Sequence, residues 1–99
     1  MVDQVEKDLR LLFGVELALD DFQPDVLHWK RLGDFAPYID YIKLDGRFVR
    51  DGLAGDPAFA ATIDELQQRY PDIALIAEHV ETPGEAFHLF DRGIAVVRG

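Results

Sequence analysis

Apolar residues recur along this chain in two alternating rhythms. Short runs with a side-chain period of two predict strands at Val15 to Leu19, Ile39 to Leu44, Ile73 to Ala77 and Ile94 to Val97. Helical periodicity fills the stretches between them. Asp3 to Glu6 reads as a helix start, with Val5, Leu9, Leu12 and Phe13 on one face and Gly14 closing it. A short helix is predicted from Asp25 to Leu32, after Pro24 and ended by Gly33, and the connection from Asp34 to Tyr38 reads as a loop. Asp56 and Pro57 form a cap and first turn for a longer helix with a buried stripe of Phe59, Ile63, Leu66 and Tyr70. The box Thr82-Pro-Gly-Glu85 starts the last helix, whose apolar residues are Ala86, Phe87, Leu89 and Phe90. Strands alternating with helices imply an α/β fold with a parallel sheet, and in such sheets chemistry gathers at the carboxyl ends of the strands.

The period of two sorts the strand residues by face. Asp20 shares a face with Ala18, and Lys43 with Tyr41. Glu78 lies in line with Ala74 and Ile76. If the fuller apolar faces pack on helices, Asp20, Lys43 and Glu78 point together to the other side, with Arg98 in the corresponding position of the fourth strand. The helix side is then sealed by Leu9, Leu12, Phe59, Ile63, Leu66 and Phe90. The inner side carries Ala18, Tyr41, Ile76 and Val96.

Ninety-nine residues make one small domain over 1–99, or part of a larger one. Every apolar run is interrupted by a charged residue well before bilayer length, so no membrane insertion is expected, and the polar, acidic start lacks a signal-peptide pattern. A cytoplasmic location is expected. The chain has no cysteine, hence no disulfide frame or thiolate metal site, and neither serine nor asparagine to act as nucleophile or ligand. His28, His79 and His88 lack the close spacing of a zinc site. The net charge of −9 argues against a nucleic-acid duplex as partner, and an anionic ligand would need metal ions to offset that field.

Adjacent carboxylates at a strand end, Asp20 and Asp21, suit hard divalent cations, although such a pair also simply starts a loop. Lys43 can steer a water or offset phosphate charge; equally, it can form a structural ion pair with Asp20 or Glu78. Glu78 can ligate a metal. Glu81 can do the same near a helix start, where acidic residues are favoured in any case. Trp29, Phe35 and Tyr38 read as core.

Four segments together resemble a family: Leu17-Ala-Leu-Asp-Asp-Phe22, Tyr41-Ile-Lys-Leu-Asp-Gly46, Phe48-Val-Arg-Asp51 and Ala77-Glu-His-Val-Glu-Thr82. In order and rough spacing they are similar to the second half of the bacterial EAL domain, over about residues 14 to 99. That resemblance implies the C-terminal half of a (β/α)8 TIM-like barrel that hydrolyses cyclic di-GMP with Mg2+ or Mn2+. It implies that Asp20 bridges two metals and Asp21 ligates the second. Lys43 would orient the nucleophilic water, and Glu78 would act in catalysis as a metal ligand. Asp45, Glu81 and Arg98 would contact the ligand.

The departures from the family pattern shape the expectation. The family's first half, with its Glu-Ala-Leu signature, an Asn ligand and another Glu ligand, has no counterpart in these residues. The loop after Asp-Asp-Phe is Gln23 to His28 instead of Gly-Thr-Gly-Tyr-Ser-Ser; His79 replaces a glycine, and Arg98 a glutamine. These changes resemble the divergent, degenerate EAL subgroup, implying a nucleotide-binding or scaffolding regulatory module. Three other readings stay open: part of an active phosphodiesterase whose remaining ligands lie elsewhere, a protein-interaction domain without nucleotide, and an unrelated barrel enzyme with an Asp/Lys/Asp site. Without a functional site, no metal cofactor is expected. Because four strands cover half a barrel, the expected partner is the missing N-terminal half-barrel or a second copy forming a homodimer.

Overall fold

The computed structural model describes residues 17–78 and 80–97; the expected first helix, His79 and Arg98 lie outside the described residues. Four strands form one sheet in the order β1-β2-β3-β4, every neighbouring pair parallel. They are β1 (Ala18–Phe22), β2 (Tyr41–Leu44), β3 (Ala74–Ala77) and β4 (Ile94–Val96). Helix α1 (Val26–Phe35) and a 3-10 turn (Ala36–Tyr38) connect β1 to β2. Helices α2 (Gly46–Leu53) and α3 (Pro57–Arg69) connect β2 to β3, and α4 (Pro83–Asp91) connects β3 to β4. Strands adjacent in sequence are adjacent in space, so each crossover turns the same way and sets its helices on one face. This is the singly wound α/β arrangement of half a TIM-like barrel.

Each described α-helix opens on a side-chain cap that satisfies an otherwise orphan amide. The Asp25 carboxylate accepts from the His28 amide at 2.8 Å, and Asp45 accepts from Phe48 at 3.1 Å. Asp56 accepts from Ala58 at 3.0 Å, ahead of Pro57 at the first helical position. Thr82 Oγ1 accepts from the Glu85 amide at 3.2 Å. At the far end of α4 the chain turns through Gly93, at φ 83°, where a Cβ would press on the Gln67 amide group.

The core lies between the sheet and the helices. Ile42 and Leu44 of β2, Leu75 and Ala77 of β3 and Ile94 of β4 are buried against Leu32, Phe48, Val49, Phe59, Ile63, Leu66 and Leu89. Trp29 is partly buried and packs edge-on against Phe22, ring centroids 5.2 Å apart, whereas Phe35, also expected in the core, is 50% exposed. The opposite, inner face is lined by Ala18, Tyr41, Lys43, Ala74, Ile76 and Ala95, none of them buried among the described residues.

Local details differ from the expectations at several points. Among the described residues the first strand runs from Ala18 through both aspartates to Phe22, past the expected end at Leu19; Val15 and Glu16 lie outside the described residues. Residues 34 to 38 are not a loop: α1 continues to Phe35, and a 3-10 turn follows. The unassigned stretch after β2 holds α2. Val96 pairs with the buried Ala77, and neighbours in a parallel pair share a face, so Val96 packs on the helix side. Phe90 does not seal that side; it is 72% exposed, because Leu89, 100° around the helix, takes the core position. Among the described residues no helix is long and apolar enough to cross a membrane.

Candidate functional site

The carboxyl end of β1 is shaped by a bulge. Leu19 pairs with Ile42 and Phe22 with Leu44, so β1 uses three steps where β2 uses two. The extra residue is accommodated by Asp21 at φ 56°, a left-handed conformation that aspartate tolerates better than most side chains. Simple alternation would send Asp21 to the helix side with Leu19. The bulge instead returns Phe22 to the core, fully buried, and leaves Asp20 and Asp21 both exposed at the strand end.

Next to it, Ile42 and Leu44 anchor β2 in the core, which leaves Lys43 on the inner face. Its Nζ stands 3.8 Å from Asp20 Oδ1 and 3.4 Å from Glu78 Oε1. Glu78 follows the last residue of β3. Asp20, Asp21, Lys43, Leu44, Gly46 and Glu78 line an open cleft of about 300 Å³. The structure thus brings together four of the predicted site residues, from three successive strand ends. Three carboxylates face one ammonium, a local excess of two negative charges, so an anionic ligand would need cations at this rim. Among the described residues, however, no group of three or more carboxylates and imidazoles converges to hold a metal ion. Asp20 and Glu78 are turned to the lysine.

The other predicted residues are placed differently. Asp45 is the cap of α2, and its amide donates to the Phe22 carbonyl at 2.8 Å. Glu81 is exposed on the loop after β3, its Oε2 3.5 Å from Arg50 Nη1. Arg98 lies outside the described residues.

Sequence reasoning missed the strongest polar contact nearby. Arg50 on α2 donates two hydrogen bonds to Glu85 at the start of α4, at 3.0 and 2.7 Å. Glu85 Oε1 also accepts the Glu81 amide at 3.0 Å. The guanidinium and that amide hold the Glu85 carboxyl down at about 2, and Glu85 in turn raises the Arg50 pKa. The capping box marked Glu85; nothing local marked its partner 35 positions earlier.

A half-barrel with an Asp/Asp/Lys/Glu rim at its strand ends defines a class of site. In a comparison with solved structures, the chain is similar to the PaMucR phosphodiesterase in complex with c-di-GMP, with a TM-score of 0.57 and 26% sequence identity. The match covers 90% of this chain and 36% of that one, so the chain spans about a third of the length of its structural relative. No protein-family model matches the chain. No curated protein matches it either.

Proposed function

We propose that this chain is the second half of an EAL-type barrel and serves cyclic di-GMP signalling as a nucleotide-binding or scaffolding module, not as a self-sufficient hydrolase. The observation that carries the reading is the strand-end set Asp20, Asp21, Lys43 and Glu78, in a fold similar to that of a protein solved with c-di-GMP. Metal-assisted phosphodiester cleavage needs cations held in fixed geometry by several oxygen ligands. Here Asp20 and Glu78 stand 3.8 and 3.4 Å from Lys43 Nζ, and two or three carboxylates alone leave Mg2+ or Mn2+ hydrated and poorly positioned. In this reading Lys43, together with cations drawn to the acidic rim, offsets the nucleotide phosphate, and Asp45, Glu81 and Arg98 are the further ligand contacts. Incubation of the 99-residue chain with c-di-GMP and Mn2+, followed by chromatography, tests it. The expected result is intact nucleotide. Turnover that disappears in Asp20→Ala would establish a hydrolase.

A second reading is favoured by the coverage: a chain spanning 36% of its relative's length leaves room for further ligands on another segment. Under that reading, restoring hydrolysis takes a longer polypeptide with its own Asn and Glu ligands.

A further inference from the structure

Lys43 and Glu78 face each other across two βα units, and only one of them sits within a strand. Lys43 pairs with Ile76 of β3, and its neighbours Ile42 and Leu44 pair with β1. Glu78 directly follows Ala77, the last residue of β3, and leads into the connection to α4. The loop's far end is tied by Glu85, which accepts the Glu81 amide through Oε1 and donates its own amide to Thr82 Oγ1. The Glu85 carboxylate is gripped on both oxygens by Arg50. Arg50 belongs to α2, whose cap, Asp45, lies two residues beyond Lys43. Hydrogen-bonded links therefore run from α2 through Arg50 and Glu85 to the Glu81 amide, three positions beyond Glu78 in the chain.

We propose that Arg50 is a positioning residue, clasping the β3–α4 loop to α2 and so setting the separation of Lys43 and Glu78. The simpler account is a surface ion pair that adds a little stability. Geometry separates the two. Lys30–Asp34 and Arg69–Glu65 each join residues four apart on one helix. Arg50–Glu85 spans 35 positions, joins two of the three units that carry the cleft, and is bidentate, so it fixes orientation as well as distance. A lysine at position 50 would keep the charge and lose the fork.

The test is a double-mutant cycle of Lys43→Met and Glu78→Gln, read by denaturant unfolding of the full 99-residue chain. In the parent background the coupling should change the unfolding constant between about 1.5- and 5-fold, the range for exposed pairs. In Arg50→Ala it should fall towards 1, with Arg50→Lys in between. Arg69→Ala, which removes an ion pair and a cation–π contact over Trp29 elsewhere, should leave it intact. Should Arg50→Ala fail to fold, Arg50→Lys and Glu85→Gln carry the same comparison. Coupling that survives loss of the clasp overturns the proposal. A second readout rests on the nucleotide reading: c-di-GMP affinity should weaken about tenfold or more in Arg50→Ala, measured well below its melting temperature, and unchanged affinity also overturns the proposal. A parent chain that binds no c-di-GMP refutes the functional reading alone and leaves the coupling cycle to judge the clasp.

Discussion

Gly52 sits in α2 where that helix crosses α3, and two opposing effects make Gly52→Ala informative. In an ordinary helix, replacing glycine with alanine stabilises by about 1 kcal/mol, because glycine loses more backbone freedom on folding. Here a Cβ at position 52 would fall within 3.0 Å of three ring atoms of Phe59. Carbon atoms in contact prefer about 3.5–4.0 Å, so the ring must move by roughly an ångström. It has little room, being buried and packed against Phe48 with ring centroids 4.9 Å apart. Overpacking of this kind costs about 1–3 kcal/mol, and the severity of this overlap argues for the upper end. Taking off the helix gain leaves a net destabilisation of about 2 kcal/mol. For a domain of this size that is a fall in Tm of roughly 8–16 °C. Thermal unfolding followed by circular dichroism measures it. The displacement would also move α2, and with it Arg50, so the variant should lose coupling between Lys43 and Glu78. An unchanged or raised Tm would refute the argument, showing that α2 and α3 have room between them.

Two further outcomes follow from other parts of the molecule. The Glu85 carboxyl is lowered from the ordinary 4.5 to about 2, so its contribution is fully present above about pH 4.5 and is lost as pH falls through 2. The Tm gap between the parent and Glu85→Gln should accordingly close from pH 6 down to pH 2, and a gap constant over that range would contradict the pairing. Among the described residues the inner sheet face has Ala18, Ala74 and Ala95 exposed and Ile76 half-buried, which fits the proposal of a covering partner. Light scattering of the 99-residue chain should give a mass above that of one copy, whereas a well-dispersed monomer would mean that this face needs no covering.

The fold was legible in the sequence where period and burial agree. Ile42/Leu44 and Leu75/Ala77 alternate with Lys43 and Ile76, and that rhythm alone located β2 and β3 and aimed Lys43 inward. It failed at β1, where the two aspartates ended the apolar run. The bulge at Asp21 is a local backbone conformation with no hydropathy signature, yet it is what carries the strand on to Phe22. Helix α2 was missed because its eight residues begin at Gly46, contain Gly52 and bury only Phe48 and Val49, too little for a helical period to stand out. In hindsight Asp45 ahead of Phe48 is a cap signal. In α4 the spacing of three fits two parallel stripes, Ala86 with Leu89 and Phe87 with Phe90, and pattern alone does not say which meets the sheet. Tertiary packing chose Leu89 and left Phe87 and Phe90 exposed. The rim residues Asp20, Asp21, Lys43 and Glu78 were identified because strand ends are predictable. The Arg50–Glu85 clasp was not, since it depends on how two helices approach each other in space.

The proposed ligand of the strand-end rim is a cyclic dinucleotide. Calorimetric titration of the 99-residue chain with c-di-GMP, with and without Mg2+, tests it most directly. The account predicts saturable binding, weakened at least tenfold in Lys43→Ala, the variant that removes the positive charge lining the cleft. Absence of heat in both buffers, or binding that Lys43→Ala leaves unchanged, would contradict it.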